Sequence, residues 1–206
     1  MSTAQDARAG RKHVSAAVRR EQLVAAALRV MKRDGIAAAT TRAICAEADM
    51  PHGAFHYCFR SKQELHTALL TTGLNTSLDA AWPSISPDLP AVDNVRTMLD
   101  AFWTAFQADP EAELVLGELV TLARREPELR ELPAWQHREY VAKAVAHLDR
   151  LAEEAGFDYS VDRALLAELV VSVLDGVASS WFSHRDGELA RASLDQFAVM
   201  FATLTR

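Results

Sequence analysis

Between Thr40 and Lys62 the chain reads TTRAICAEADMPHGAFHYCFRSK, and few local structures satisfy that run. From Thr41 to Ala48 a hydroxyl start signal precedes Ala43, Ile44 and Ala48 at helical spacing, which predicts a helix of about two turns. Asp49 and Met50 interrupt it, and Asp is one of the few residues that tolerates a left-handed backbone. Pro51 suits the first position of a second helix, because its fixed φ fits there and its missing N–H would be unpaired anyway. That second helix is predicted over Pro51 to about Phe59. Two short helices joined by a tight turn form a helix-turn-helix, a motif whose second helix can enter the major groove of DNA.

The flanks complete a unit around this motif. A first helix is predicted from Ala16 to Asp34, with Leu23, Ala27, Val30 and Met31 on one face, Gly35 as terminator and Ile36 as a core plug. After the motif, Ser61 is placed as an N-cap with Glu64 at the capping-box position and Leu65, Leu69 and Leu74 on the apolar face. This fourth helix is expected to stop near Trp82, because the three prolines between Pro83 and Pro90 cannot continue it.

Taken with its partner helices, the stretch resembles the DNA-binding core of the TetR (tetracycline repressor) family of bacterial transcription regulators. The resemblance places Thr41 and Arg42 at the opening of the supporting helix. It places His52, Gly53, Ala54, His56 and Tyr57 at recognition-helix positions, and matches Lys62 to a lysine that grips a phosphate. Phe55 and Phe59 take the inward places. The chain departs from the family's commonest pattern at Asp49, where Gly is usual, at His56, where a phosphate-bonding Tyr is usual, and at Cys58, where His or Tyr is frequent. By chemistry, Thr41, Tyr57 and Lys62 are the phosphate-positioning candidates, and Arg42, His52 and Ala54 the base-reading ones. Gly53 lets the helix backbone approach phosphates closely.

What the resemblance implies for the whole chain is an all-α protein with two parts. Residues 1–62 would be a basic arm and three-helix DNA-binding domain, and residues 63–206 a helical effector-binding and dimerisation domain. The fourth helix would be the mechanical link between them.

Charge supports that division. The chain carries a net −6, yet residues 1–62 hold eleven Lys and Arg against five Asp and Glu, while the remainder holds eleven against 23. A basic N-terminal module offers cations to DNA phosphates, and the acidic remainder keeps the molecule soluble. Residues 1–15 lack any hydrophobic period and carry Arg8, Arg11 and Lys12, which suits a solvated tail better than an arm in the minor groove.

Beyond the prolines, residues 91–109 give Val95, Met98, Leu99, Phe102, Trp103 and Phe106 in an apolar helical stripe. Helices are expected over Glu111–Arg125 and Trp135–Ala155, with Pro133 separating a short preceding turn from the latter and Gly156 ending it. The eighth helix starts at Ser160 and the ninth spans about Glu188 to Thr205; both are apolar on more than one face. In the family these last two helices pair with a second subunit, and Val173, Val177, Phe197 and Phe201 are the interface candidates. Burial within one subunit fits the stripes equally well, while the symmetry of DNA half-sites favours the homodimer.

The resemblance also implies a small apolar or aromatic effector between helices of the second part. Met98, Phe102, Trp103, Phe106, Trp135, Tyr140 and Trp181 are candidates for its wall, and Glu118, His137 and His147 for polar anchors. His52 and His56 stand at i, i+4, but without a third and fourth ligand they do not make a metal site. No cofactor is expected. The sequence contains no glycine-rich phosphate loop, GxSxG, HExxH or paired-cysteine framework, so no enzyme motif competes. Cys45 and Cys58 read as reduced thiols, and no N-terminal apolar leader or run of 18 apolar residues is seen, so a cytoplasmic location is expected with no membrane partner. The expected function is a regulator, most simply a repressor that binds a palindromic DNA operator as a dimer and leaves it on binding effector. The alternatives are an activator or a ligand-independent regulator on the same fold.

Overall fold

The computed structural model describes residues 15–73 and 78–206. The expectations for Arg8, Arg11, Lys12 and Leu74 fall outside those residues. Among the described residues there are nine α-helices and no strands, and the chain divides into two compact units between Ala68 and Leu69.

In the first unit, α1 (Ala16–Asp34) starts where the Ser15 hydroxyl accepts from the Val18 amide, and it ends at Gly35, whose φ of 85° favours glycine. α2 (Thr41–Glu47) is capped by Thr40, whose side chain accepts from the Ala43 amide. Asp49 then takes the left-handed turn at φ 52°, as its residue type allows. α3 (Gly53–Cys58) is shorter than the predicted Pro51–Phe59, because His52 is only its N-cap and Phe59 is already extended. α4 is described over Lys62–Gly73. Its start matches the capping signal: the Glu64 amide donates to Ser61 Oγ at 3.2 Å. Leu23, Ala27, Val30, Met31, Ile44, Phe55, Phe59 and Leu65 are all buried, forming the unit's core. Truncating one of these large side chains to alanine costs about 2 to 5 kcal/mol.

The second unit contains α5 (Ala91–Ala108), α6 (Pro110–Ala123), α7 (Glu131–Ala155), α8 (Arg163–His184) and α9 (Gly187–Ala202). Trp82 does not end α4 but opens a 3-10 turn, Trp82–Ser84. Pro133 does not interrupt α7. It lies in the first turn, where an amide would have no intrahelical acceptor to lose. Ser160 does not start α8 either. Its amide and hydroxyl both donate to the Leu204 carbonyl, at 2.7 and 2.9 Å, tying the chain to its C-terminal end. Asp162 is the cap instead, accepting from the Leu165 amide. Asp109 and Asp186 cap α6 and α9 in the same way.

α5 packs on α9 and α7 on α8, around a core that includes Trp82, Val95, Leu99, Trp103, Phe106, Leu148, Leu166, Leu194 and Phe201. By length and composition α8 is apolar enough to cross a membrane, but Leu166 and Ala167 are buried in this core and Val171 is buried beside a cavity of the same unit. Leu165, Leu169, Leu189, Val199 and Met200 of α8 and α9 stay exposed.

Candidate DNA-binding surface and effector cavity

The helix-turn-helix turns its candidate contacts outward. Phe55 and Phe59 anchor α3 from inside, 2% and 1% exposed, with their rings 5.4 Å apart. That anchoring leaves Arg42, His52, Gly53, His56, Tyr57 and Lys62 exposed and Thr41 and Ala54 half-buried. Tyr57 is 74% exposed, a large aromatic with nothing of its own unit to cover it. A side chain at Gly53 would meet open space, so packing within the unit does not demand glycine there. His52 and His56 meet edge to face, with ring centres 5.7 Å apart, and the Thr41 hydroxyl lies 3.2 Å from His52 Nε2.

Not every cation of this unit is available to a ligand. Arg29 and Arg33 both donate to Glu47, at 2.8 and 2.9 Å, and their hydrogen bonds hold its carboxyl below the usual range. Arg20 is paired with Glu64. Arg42 and Lys62 make no ion pair among the described residues, which leaves their charge free for phosphates or base edges. No group of three His, Cys, Asp or Glu side chains is placed to hold a metal among the described residues.

The second unit has a half-open cavity of about 160 Å³ between α5, α7, α8 and α9. Of the side chains expected around an effector, Met98, Phe102, Tyr140 and His147 line it. Trp103, Phe106, Glu118, Trp135 and Trp181 do not. Trp103 is wholly buried, stacked on Phe106 at 5.0 Å and edge-on to Trp181 at 6.0 Å, so these three rings belong to solid core. Glu118 is exposed. His137 is held outside the wall by Glu168, 2.9 Å away. Phe197 and Phe201, assigned from sequence to a subunit interface, also line the cavity, and Phe201 is 3% exposed. Val173 and Phe197 border a separate surface groove with Leu189 and Met200, while Val177 is half-buried against the core.

Sequence reasoning missed Lys143, the one charged residue of the cavity wall among the described residues. The signal was present, since Tyr140, Lys143 and His147 follow one another at i, i+3, i+7 on one helix face. Burial raises the Tyr140 pKa, with Glu113 and Asp175 adding to the effect. Burial lowers that of His147, helped by Lys143 and Arg150. At neutral pH the wall thus offers a neutral phenol and a neutral imidazole as hydrogen-bonding groups beside the Lys143 ammonium, the other lining side chains being apolar. His147 is steadied by stacking on Trp82 at 5.8 Å, and Arg150 covers the same indole at 4.1 Å.

Comparisons with known proteins reach both units. Bacterial regulatory proteins of the tetR family match over residues 23–69, and the C-terminal region of BetI-type transcriptional repressors matches over residues 91–203. The HTH-type nicotine-responsive transcriptional repressor HdnoR of Paenarthrobacter nicotinovorans is 28% identical over 200 residues, spanning 90% of this chain and 99% of that protein. The multidrug binding protein EbrR, solved in complex with imidazole, is 27% identical with a TM-score of 0.61, over 86% of this chain and 93% of that one. A TetR transcription regulator from Haloarcula marismortui shares the fold, with a TM-score of 0.70 at 19% identity over 92% of this chain and 100% of the other. With an outward-facing helix-turn-helix in one unit and a BetI-type helical second unit, the chain belongs to the TetR family of bacterial regulatory proteins and is a transcriptional repressor.

Proposed function

We propose that this repressor binds a palindromic double-stranded DNA operator as a homodimer and is released by a small, largely apolar effector held in the α5–α7–α8–α9 cavity. The observation that carries the effector half of this reading is the cavity itself, about 160 Å³ with aromatic walls and a few converging polar groups, the usual make-up of a small-molecule site. HdnoR is nicotine-responsive and EbrR has been solved with ethidium, which supports a small organic ligand here as well. Thr41, Tyr57 and Lys62 position the phosphates, Arg42, His52 and Ala54 read bases, and Gly53 and His56 complete the contact surface.

The exposed apolar residues of α8 and α9, with the groove beside Val173 and Phe197, form the proposed subunit interface. Acting on DNA in a bacterial cell, the protein works in the cytoplasm without a membrane partner or a cofactor. Release follows from linkage: an effector that binds the low-affinity conformation more tightly than the DNA-bound one lowers operator affinity by that same difference.

The test is to screen aromatic and lipophilic compounds by thermal shift and then titrate the binders into the protein–operator complex. A ligand at a hundred times its dissociation constant stabilises the protein by about 2.7 kcal/mol, and it should weaken operator binding in parallel. Binders that fill the cavity yet leave operator affinity unchanged would remove the effector role.

A further inference from the structure

We propose that Arg20 of α1 is a positioning residue for DNA readout, locking the C-terminal end of the recognition helix and the start of α4 into one rigid piece. Its guanidinium does three things at once. It donates to the Cys58 carbonyl at the end of α3, at 2.8 Å, and to Glu64 Oε1 in the first turn of α4, at 2.7 Å. It also lies 4.3 Å over the ring of Phe59, the buried residue that follows α3.

Glu64 is fixed in turn from the other side, because its second oxygen accepts from the Arg60 amide at 2.9 Å. Its own amide is bound by Ser61 Oγ at 3.2 Å. Three consecutive pieces of chain therefore converge on one cation: the Cys58 carbonyl that ends α3, Phe59 of the Phe59–Ser61 connection, and the start of α4 that carries Lys62. A terminal carbonyl without an intrahelical donor is satisfied well by an arginine. A planar guanidinium can serve two acceptors and an aromatic face together, where a lysine ammonium cannot.

The consequence for function is geometric. His56 and Tyr57 sit on a helix of six residues that His52 precedes as N-cap, too short to hold its own direction, and Lys62 is on the next one. Base reading and phosphate gripping stay in register only if those two helices move as one, and small misplacements of a recognition element are costly. Arg20 spends its Nη1 on two acceptors within the unit, so in this proposal it contributes to readout through α3 and α4 and not as a DNA contact itself.

This inference rests on α3 being the recognition helix, and the experiment separates the two ideas. Operator is first selected with the wild-type protein; its failure to enrich any DNA counts against the DNA-binding reading, not against Arg20. Full-length Arg20→Gln, Arg20→Lys and Glu64→Gln are then titrated by anisotropy against that operator and against unrelated duplex at several salt concentrations. Circular dichroism melts identify which variants remain folded.

Arg20→Gln should weaken the selected operator on the order of tenfold or more, the scale of a lost charge-assisted hydrogen bond, and leave the salt slope on unrelated duplex unchanged. Arg20→Lys should recover only part of the loss. Glu64→Gln keeps one acceptor oxygen, enough for Arg20 or for the Arg60 amide but not for both, and should fall between, which preserves the test if Arg20→Gln does not fold. Wild-type operator affinity in a folded Arg20→Gln and in Glu64→Gln overturns the proposal. So does a fall of about one unit in salt slope on both DNAs, which would make Arg20 a direct phosphate contact.

Discussion

The Thr41 hydroxyl and His52 Nε2 stand 3.2 Å apart, so the first residue of the supporting helix holds the imidazole that leads into the recognition helix. The hydroxyl proposed to position a phosphate and the ring proposed to read a base are thereby one mechanical element. Thr41→Val should disturb His52 as well as remove its own contact. In a double-mutant cycle with His52→Ala, measured as operator affinity, the two changes should couple by about 0.5 to 3 kcal/mol. Additive losses would show that the two side chains act on DNA independently.

Lys62 and Arg42 are exposed cations that make no ion pair among the described residues, and they are expected to differ in kind. Lys62→Ala should weaken all sequences alike and flatten the salt dependence by about one unit of log slope. Arg42→Ala should cost roughly 1 to 3 kcal/mol and change which sequence is preferred. Selecting DNA with each variant and repeating the salt titration checks both assignments; equal loss of discrimination from the two changes would contradict them.

Much of the first unit was legible in the sequence, because its signals are local. α1 begins and ends where its cap and Gly35 place it, and Asp49 takes the left-handed turn that its type allows. The second unit was less legible where distant contacts decide. Pro133 read as a break, although a helix's first turn tolerates it. Phe102 and Trp103 share one stripe, yet Phe102 faces the cavity and Trp103 is locked in core, a distinction that periodicity cannot make. Phe197 and Phe201 line the cavity for the same reason: an apolar second face says only that something covers it. Arg20 carried no signal at all, since its partners Cys58 and Glu64 lie 38 and 44 residues away.

Glu113 gives a pH prediction. Burial raises its carboxyl pKa, and the charges of Asp109 and Asp175 raise it further. An acid whose folded-state pKa exceeds its unfolded one contributes stability in full below the unfolded value, about 4.3 for Glu, and loses it as pH rises through the folded value. Glu113→Gln removes that loss. Its melting temperature at pH 7 should exceed the wild type's, with the gap closing toward pH 4. Equal melting temperatures across that range would show the carboxylate to be compensated.

Val177 tests the proposed subunit interface. Val177 is half-buried against its own core, so Val177→Asp would bury an unpaired carboxylate fully in a dimer and leave it partly solvated on a monomer. Sedimentation should find a folded monomer. Operator affinity should fall on the order of a hundredfold or more, because the second half-site contact is no longer intramolecular. An intact dimer would place the interface elsewhere.

The most direct measurement of the central claim is selection of bound sequences by the wild-type protein from a random duplex pool. Two recognition helices related by a two-fold axis should enrich an inverted repeat, with half-site centres separated by a multiple of about 10 to 10.5 base pairs. Enrichment of a single asymmetric site, or of no sequence at all, would contradict a dimeric repressor that reads its operator through α3.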